Sequence, residues 1–330
     1  MQVTILGGGG FLGRKVAARL AADGTLGGKA LTGLTLFDIV APSKPDAPFP
    51  VTALAGDIVN LPDAAIPVGT EVVFHLAAVV SAQAEADYEL GRRVNLRGTD
   101  AVIDRCRALV AAGGRGPRVV FTSSVASFSG NQNETLPDNT RQLPGNSYGA
   151  QKAAAELILA DASRRGFLDA MTLRLPTVIV RPGRPNKAAS SFFSGIVREP
   201  LLGLETTLPV ADDFTVWVCG PRRAVDWLLH AAAMDTSRMG LDRSIDPPGV
   251  STTVAHLLQA LDAVAPGASA LVKRVEDKAI AAIVSTWPPA FEALHARTLG
   301  FSPHEPILDV VRAFVEDDLE ATKMDRARAP

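Results

Sequence analysis

Met1-Gln2-Val3-Thr4-Ile5-Leu6-Gly7-Gly8-Gly9-Gly10-Phe11-Leu12-Gly13 runs an apolar stretch straight into a glycine-rich turn and then into a helical pattern. Val3–Leu6 reads as a strand. Phe11–Ala22 reads as a helix, with Leu12, Val16 and Leu20 on one side at helical spacing. A strand, a glycine turn and a helix in this order form the phosphate cradle of a doubly wound α/β fold. The glycines let backbone approach a pyrophosphate, and the helix N-terminus offers free N–H groups and a partial positive charge. Two frames fit the run, Gly7-x-x-Gly10-x-x-Gly13 and the G-x-G-x-x-G spacing at Gly8, Gly10 and Gly13, and the turn alone does not choose between them.

Strand and helix patterns go on alternating outward from this stretch. Leu34–Asp38, Val51–Leu54, Glu71–Ala77 and Arg118–Ser123 read as strands, and Met171–Val180 as a strand region broken at Pro176. Tyr88–Ala112 and Ser147–Arg164 read as long helices. This alternation predicts a parallel, doubly wound α/β sheet of the Rossmann type with right-handed crossovers. After Arg181 the pattern loosens. Lys187–Arg198 looks helical, Thr215–Cys219 a strand and Pro221–Ala233 a helix. Further helices fall near Thr253–Val264, Lys278–Thr286 and Phe291–Leu299, and Met324–Pro330 reads as frayed. The expected organisation is a dinucleotide-binding domain over residues 1–180, with parts of 214–245 returning to it. A smaller C-terminal α/β, mainly substrate-binding domain is expected over 181–330.

The 330 residues are 47% hydrophobic with a net charge of −2, enough apolar content for a large core and no basic excess for nucleic acid or an anionic membrane surface. Two cysteines, Cys106 and Cys219, lie far apart, which points to a reducing compartment without structural disulfides. The chain opens on a core strand and holds no apolar run of ~18 residues, so neither a secretory leader nor a membrane span is expected. A cytoplasmic protein follows. His75, His230, His256, His295 and His304 show no metal-ligand spacing with Cys, Asp or Glu, and no metal is expected.

Chemistry enters at Tyr148-Gly149-Ala150-Gln151-Lys152. Residues four apart share a helix face, so Lys152 lies on the Tyr148 side. A tyrosine titrates near ~10 in water, too high for a base at neutral pH, and a neighbouring ammonium favours its phenolate. Tyr148 thereby becomes a candidate general base for an alcohol proton. The strand ending in Thr122-Ser123-Ser124 brings hydroxyls to the C-terminal sheet edge, where ligands of open α/β sheets bind.

With these motifs in place, the chain resembles the extended short-chain dehydrogenase/reductases. The glycine run matches that family's pyrophosphate loop. His75-Leu76-Ala77-Ala78 matches its strand-end motif, Asp57-Ile58 its adenine-side pair and Asn95 its helix asparagine. The resemblance implies Ser124 as the catalytic serine, Tyr148 as the base and Lys152 as the ribose-binding lysine, with Ser123 as the alternative should the register slip by one. It also implies cofactor contacts at Gly7, Gly10, Phe11, Leu12, Gly13, Leu76, Ala77, Ala78, Thr122, Pro176, Thr177 and Val178, and a substrate contact at Ser81.

Asp38 ends the second strand. A carboxylate there accepts hydrogen bonds from both adenosine ribose hydroxyls and repels a 2′-phosphate, so the expected cofactor is NAD rather than NADP. The cationic, hydroxyl-rich run Arg184-Pro185-Asn186-Lys187-Ala188-Ala189-Ser190 suits a small anionic sugar acid, with Arg184, Asn186, Lys187 and Ser190 as candidate ligands, and would also suit a diphosphate. This run, the glycine-rich loop Asp23–Gly33 and Arg198-Glu199-Pro200 resemble the D-erythronate dehydrogenase branch of the family, which oxidises the C2 hydroxyl of a four-carbon sugar acid with NAD. The alternative is a nucleotide-sugar epimerase or dehydratase using the same site. A non-catalytic NAD-sensing protein of this fold is the third reading, disfavoured because Ser124, Tyr148 and Lys152 are all present. Apolar residues on more than one face of the two long helices, such as Ala153, Ala154, Leu157, Ile158 and Leu159, predict a homodimer through those helices.

Overall fold

The structure, a computed structural model, describes residues 1–131, 134–185 and 188–327. The chain divides into two compact units. The first comprises 1–127, 147–174 and 225–245, and the second 128–146, 175–224 and 246 onward.

The first unit is built on strands β1 (Gln2–Leu6), β2 (Gly33–Asp38), β3 (Val51–Ala55), β4 (Thr70–His75), β5 (Arg118–Ser124), β6 (Asp169–Leu175) and β7 (Ser244–Ile245). They form one parallel sheet in the order β7-β6-β5-β4-β1-β2-β3. Leu6 stands opposite both Phe37 and His75, and His75 opposite Phe121, which aligns the C-terminal ends of β2, β1, β4 and β5. The central strands β1, β4 and β5 are buried on both faces, as a parallel sheet covered by helices requires, whereas the edge strand β3 is only partly covered. Helices α1 (Phe11–Asp23), α2 (Gly98–Ala111) and α3 (Ser147–Arg164) belong to this unit. Val102, Cys106 and Leu109 of α2 and Ala155, Leu159 and Ala162 of α3 close a core over Val73, Val119 and Phe121.

Two expectations for this unit change. The pattern Tyr88–Ala112 is a helix in three parts. Tyr88–Arg92 leads into a wider, π-helical turn at Arg93–Arg97 before α2 begins. Strand β4 stops at His75, two residues before the expected end, and Leu76 N–H donates to the Leu6 carbonyl as the chain leaves the sheet.

Residues 225–245 join the first unit for a physical reason. The Arg118 guanidinium holds Asp169 at 2.7 Å and donates to the carbonyls of Ala231 (2.8 Å) and Met234 (3.1 Å). One cation thus ties the starts of β5 and β6 to the end of helix Pro221–Ala233. Strand Thr215–Cys219 does not return. It lies in the second unit, parallel to Thr177–Val178 and antiparallel to Val250–Thr253. Segment 128–146 also groups with the second unit, where Thr135–Leu136 pairs with Ala290–Phe291. The second unit further holds helices Ser191–Leu201, Val254–Val264, Ile307–Asp317 and Leu319–Ala327. The last of these includes Met324–Ala327, which the sequence pattern had suggested would fray.

Candidate active site

The glycine turn between β1 and α1 is fixed by close backbone approach. Gly7 adopts φ +86, and a Cβ there would stand 2.6 Å from Ala77 N. A Cβ on Gly13 would stand 2.1 Å from the Gly7 carbonyl oxygen. Gly8 meets nothing nearer than 3.1 Å, so the structure selects the frame Gly7, Gly10, Gly13. Gly7 and Gly8 N–H both donate to the Phe37 carbonyl, which seats the turn on β2. Gly10 caps α1 without a side-chain bond, and Phe11, Leu12 and Gly13 open the helix with no acidic residue in its first turn. That end is electrostatically open to an anion.

A cavity of 440 Å³ lies along this sheet edge, lined by Gly7, Gly10, Asp38, Asp57, Ile58, Leu76, Ala77 and Ala78 among the expected cofactor residues. Asp38 accepts from Gly9 N–H at 2.9 Å and Ile39 N–H at 2.7 Å, which orients its carboxylate at the end of β2. Asp57 accepts from Val59 N–H at 3.1 Å and pairs with Arg93. The Val59 N–H and then Arg93 hold its carboxyl below the ordinary carboxylate range. Ile39, Val79, Gln83, Leu90, Arg93 and Val94 also line the cavity and escaped the sequence reading. Ile39 alone carried a signal, as an apolar residue just past the carboxylate at a strand end, and it is 71% exposed. Val79 lies in the segment leaving β4, and Gln83, Leu90, Arg93 and Val94 come from helices whose approach to the sheet is a long-range property.

Asn95 stands behind the cavity wall. Its amide accepts from Val79 N–H (2.9 Å) and donates to the Val79 carbonyl (3.0 Å) and to Gln151 Oε1 (2.7 Å). It therefore clamps the chain leaving β4 to α3. Ser81 is buried at the start of the short helix Ser81–Ala86.

The expected catalytic residues gather where α3 packs on the end of β5. Lys152 is buried. Its Nζ donates to the Thr122 carbonyl at 2.8 Å, lies 4.5 Å from the Phe121 ring centre and 5.7 Å from that of Tyr148. Burial pushes the Lys152 ammonium down to about 7, against an opposing pull from Glu156. Burial, and then the Lys152 charge, push His75 down to about 3, so it stays neutral at pH 7 with its Nε2 3.0 Å from Thr99 Oγ1. Neighbouring strand residues face opposite sides. Ser123 is buried with its hydroxyl on Glu156, whereas Ser124 is half-buried with its Oγ accepting from Ala126 N–H at 3.1 Å. Ser123 is thus engaged beneath the site, and Ser124 is the serine at the edge. Tyr148 is half-buried in the first turn of α3, whose N-terminus is fixed by Ser147 N–H donating to Glu85 at 2.8 Å.

The other expected contacts fall in the second unit. Thr177 and Val178 form its short strand after Pro176. Arg184 is exposed, and Ser190 is buried and accepts from Arg181 at 3.3 Å. Asn186 and Lys187 lie outside the described residues. The segment 181–183 is held by a buried ionic cluster. Arg198 donates to the Arg181 carbonyl (2.8 Å) and pairs with Glu199 (2.6 Å), and Arg326 pairs with Glu199 (2.8 Å) and donates to the Gly183 carbonyl (3.2 Å). Among the described residues no group of three or more His, Cys, Asp or Glu could hold a metal ion, and no helix is long and apolar enough to cross a membrane.

Comparison with known proteins places these features. The model of the NAD dependent epimerase/dehydratase family matches residues 3–227. The D-erythronate dehydrogenase of Cupriavidus necator is 46% identical over 96% of this chain and 98% of its own length. That of Haemophilus influenzae is 36% identical over 97% of this chain and 100% of its own. A crystal structure described as a nucleoside-diphosphate-sugar epimerase from Agrobacterium tumefaciens is 42% identical, with a TM-score of 0.91 over 98% of this chain and 96% of that one.

Proposed function

The chain belongs to the NAD dependent epimerase/dehydratase family, and on that premise we propose that it oxidises the C2 hydroxyl of D-erythronate to the 2-oxo acid with NAD. The observation that carries this reading is similarity to two D-erythronate dehydrogenases, 46% and 36% identical, over nearly the whole chain.

The residues present fit the dinucleotide. Gly7, Gly10 and Gly13 with the first turn of α1 take the pyrophosphate, Asp38 the adenosine ribose, Asp57 and Ile58 the adenine side, and Lys152 the nicotinamide ribose. When bound, NAD supplies the two-electron acceptor for the hydrogen on C2, and the net products are the 2-oxo acid, NADH and one proton. Ser124 Oγ and Tyr148 Oη hold the C2 oxygen. Tyr148 Oη takes its proton, and the Lys152 charge stabilises the phenolate that does so. In the second unit Arg184, Asn186, Lys187 and Ser190 are the proposed ligands of the carboxylate and remaining hydroxyls, and Pro176, Thr177 and Val178 are proposed cofactor contacts.

An NAD-reduction screen over C4 to C6 sugar acids, with nucleotide sugars as controls, tests the reading. NADH formation from D-erythronate supports it. The likeness to the Agrobacterium tumefaciens structure favours a second reading, a nucleotide-sugar epimerase or dehydratase, which would convert a nucleotide sugar without NADH accumulating.

We also propose a cytoplasmic homodimer. Both cysteines are buried free thiols, which fits a reducing compartment. On α3, Leu159 faces the core while Leu157 is 71% exposed beside half-buried Ala153, Ala154 and Ile158, leaving an apolar strip for a second copy. Light scattering that finds only monomer at micromolar concentration contradicts the dimer.

A further inference from the structure

Glu156 stands one helical turn after Lys152 and two after Tyr148, on the same face of α3. It is 3% exposed. One carboxylate oxygen accepts from Ser123 Oγ, and the other accepts from Arg174 Nε at 2.8 Å. Ser123 precedes Ser124 on β5, and Arg174 lies on β6, its side chain 12% exposed. A single buried acid thus fastens the helix of Tyr148 and Lys152 to the strand of the serine and to the next strand. The glycine turn and the Tyr-x-x-x-Lys helix give it no part.

Lys152 and Tyr148 face it along α3, Arg174 from β6, and His75 lies beyond Lys152 on β4 and is neutral. In a low-dielectric interior a carboxylate one turn away is felt strongly by an ammonium. Without it, two buried cations, Lys152 and Arg174, would share this layer with their principal anion gone.

We propose that Glu156 is a positioning residue for the proton transfer: through Ser123 and Arg174 it fixes the turn that carries Tyr148 and Lys152 over the end of β5, and it sets a buried negative charge one helical turn from Lys152. This rests on the Ser124–Tyr148–Lys152 reading above. Burial alone drives the Lys152 proton off, and Glu156 is the group that opposes it. A neutral Lys152 leaves the Tyr148 phenolate unsupported, so the phenol ionises only at higher pH.

The test is the pH profile of kcat for NADH formation from D-erythronate, with NAD affinity and melting temperature measured alongside. The proteins compared are the unaltered enzyme, Glu156→Gln, and the double variant Glu156→Gln with Arg174→Gln, which leaves no buried arginine without its anion. The expected result is an acidic limb moved up by about one pH unit in both variants. That corresponds to a roughly tenfold lower kcat at a pH below the limb. NAD affinity stays within a few-fold, and the double variant regains melting temperature. An unmoved limb in the double variant, with only stability changed, overturns the proposal. A Tyr148→Phe control separates the two layers: full turnover in that control sinks the catalytic reading itself, whereas its loss beside an unmoved limb sinks Glu156 alone.

Discussion

Lys152 Nζ lies 2.8 Å from the Thr122 carbonyl oxygen, so a backbone carbonyl near the end of β5 holds the ammonium one helical turn from Tyr148. The contact joins a helix to a strand end 30 residues away and places a buried cation under a half-buried phenol. Its burial has a consequence for stability. The folded protein holds the Lys152 proton only to about 7, against 10.5 ordinarily. Between these values the unfolded chain binds more protons than the folded one, and stability rises with pH. The ligand-free protein is expected to gain stability over Lys152→Met as pH goes from 7 to 10. Urea melts of the two proteins across that range check this, and a constant difference contradicts it.

Asp38 is held by two backbone N–H groups with its carboxylate on the cavity wall. Hydrogen bonds to a charged acceptor contribute about 1.5–3 kcal/mol, so Asp38→Gly is expected to weaken NAD binding roughly ten- to hundred-fold. Removing the charge also removes the repulsion of a 2′-phosphate, and the gap between NAD and NADP should narrow. Titration of both cofactors into both proteins measures it. A preference for NADP in the unaltered protein contradicts the assignment.

Gly13→Ala places a methyl group 2.1 Å from the Gly7 carbonyl oxygen, where backbone rather than a side chain must give way. A stability loss of about 1–3 kcal/mol and loss of NAD binding are expected. Gly10→Ala meets the same oxygen at 3.2 Å and is expected to be milder on both counts. Calorimetry with NAD ranks the two, and the reverse order contradicts the close backbone approach at Gly13.

Glu199 is the anion between Arg198 and Arg326, and this cluster holds the carbonyls of Arg181 and Gly183. Glu199→Gln leaves Arg198, 1% exposed, without its counter-charge. Breaking a buried pair from one side costs about 3–5 kcal/mol. Because the cluster orders the segment before Arg184, KM for the sugar acid should rise while NAD affinity is unchanged. Steady-state kinetics with each substrate varied in turn decide this, and an altered NAD affinity with unchanged KM contradicts it.

The sequence exposed those parts of the molecule whose signals are local. The glycine turn is legible because close backbone approach leaves no room for a side chain at Gly7 and Gly13, and α3 is legible from its helical pattern around Tyr148 and Lys152. The parallel, doubly wound sheet followed from the alternation of strand and helix patterns, whereas the order of its strands is seen only in the structure. What escaped depends on partners distant in sequence. Asn95 itself was legible from its motif, but the wider helical turn from which it reaches Val79 and Gln151 is announced by no periodicity. Arg93 lines the cavity because Asp57, 36 residues away, draws it there. Arg326 lies 127 residues from Glu199, and the pairing that anchors its helix has no local signal. Glu156 was passed over as one more helical residue, although it sits a turn from the proton-transfer pair.

The central claim is that Tyr148 Oη takes the proton of the substrate hydroxyl. Tyr148→Phe, which removes that oxygen and little else, tests it most directly when turnover and NAD binding are measured on the same preparation. The expected result is a fall in kcat with D-erythronate of roughly 10²–10⁴-fold, the range of general acid–base assistance, with NAD affinity preserved. Turnover near that of the unaltered enzyme contradicts it.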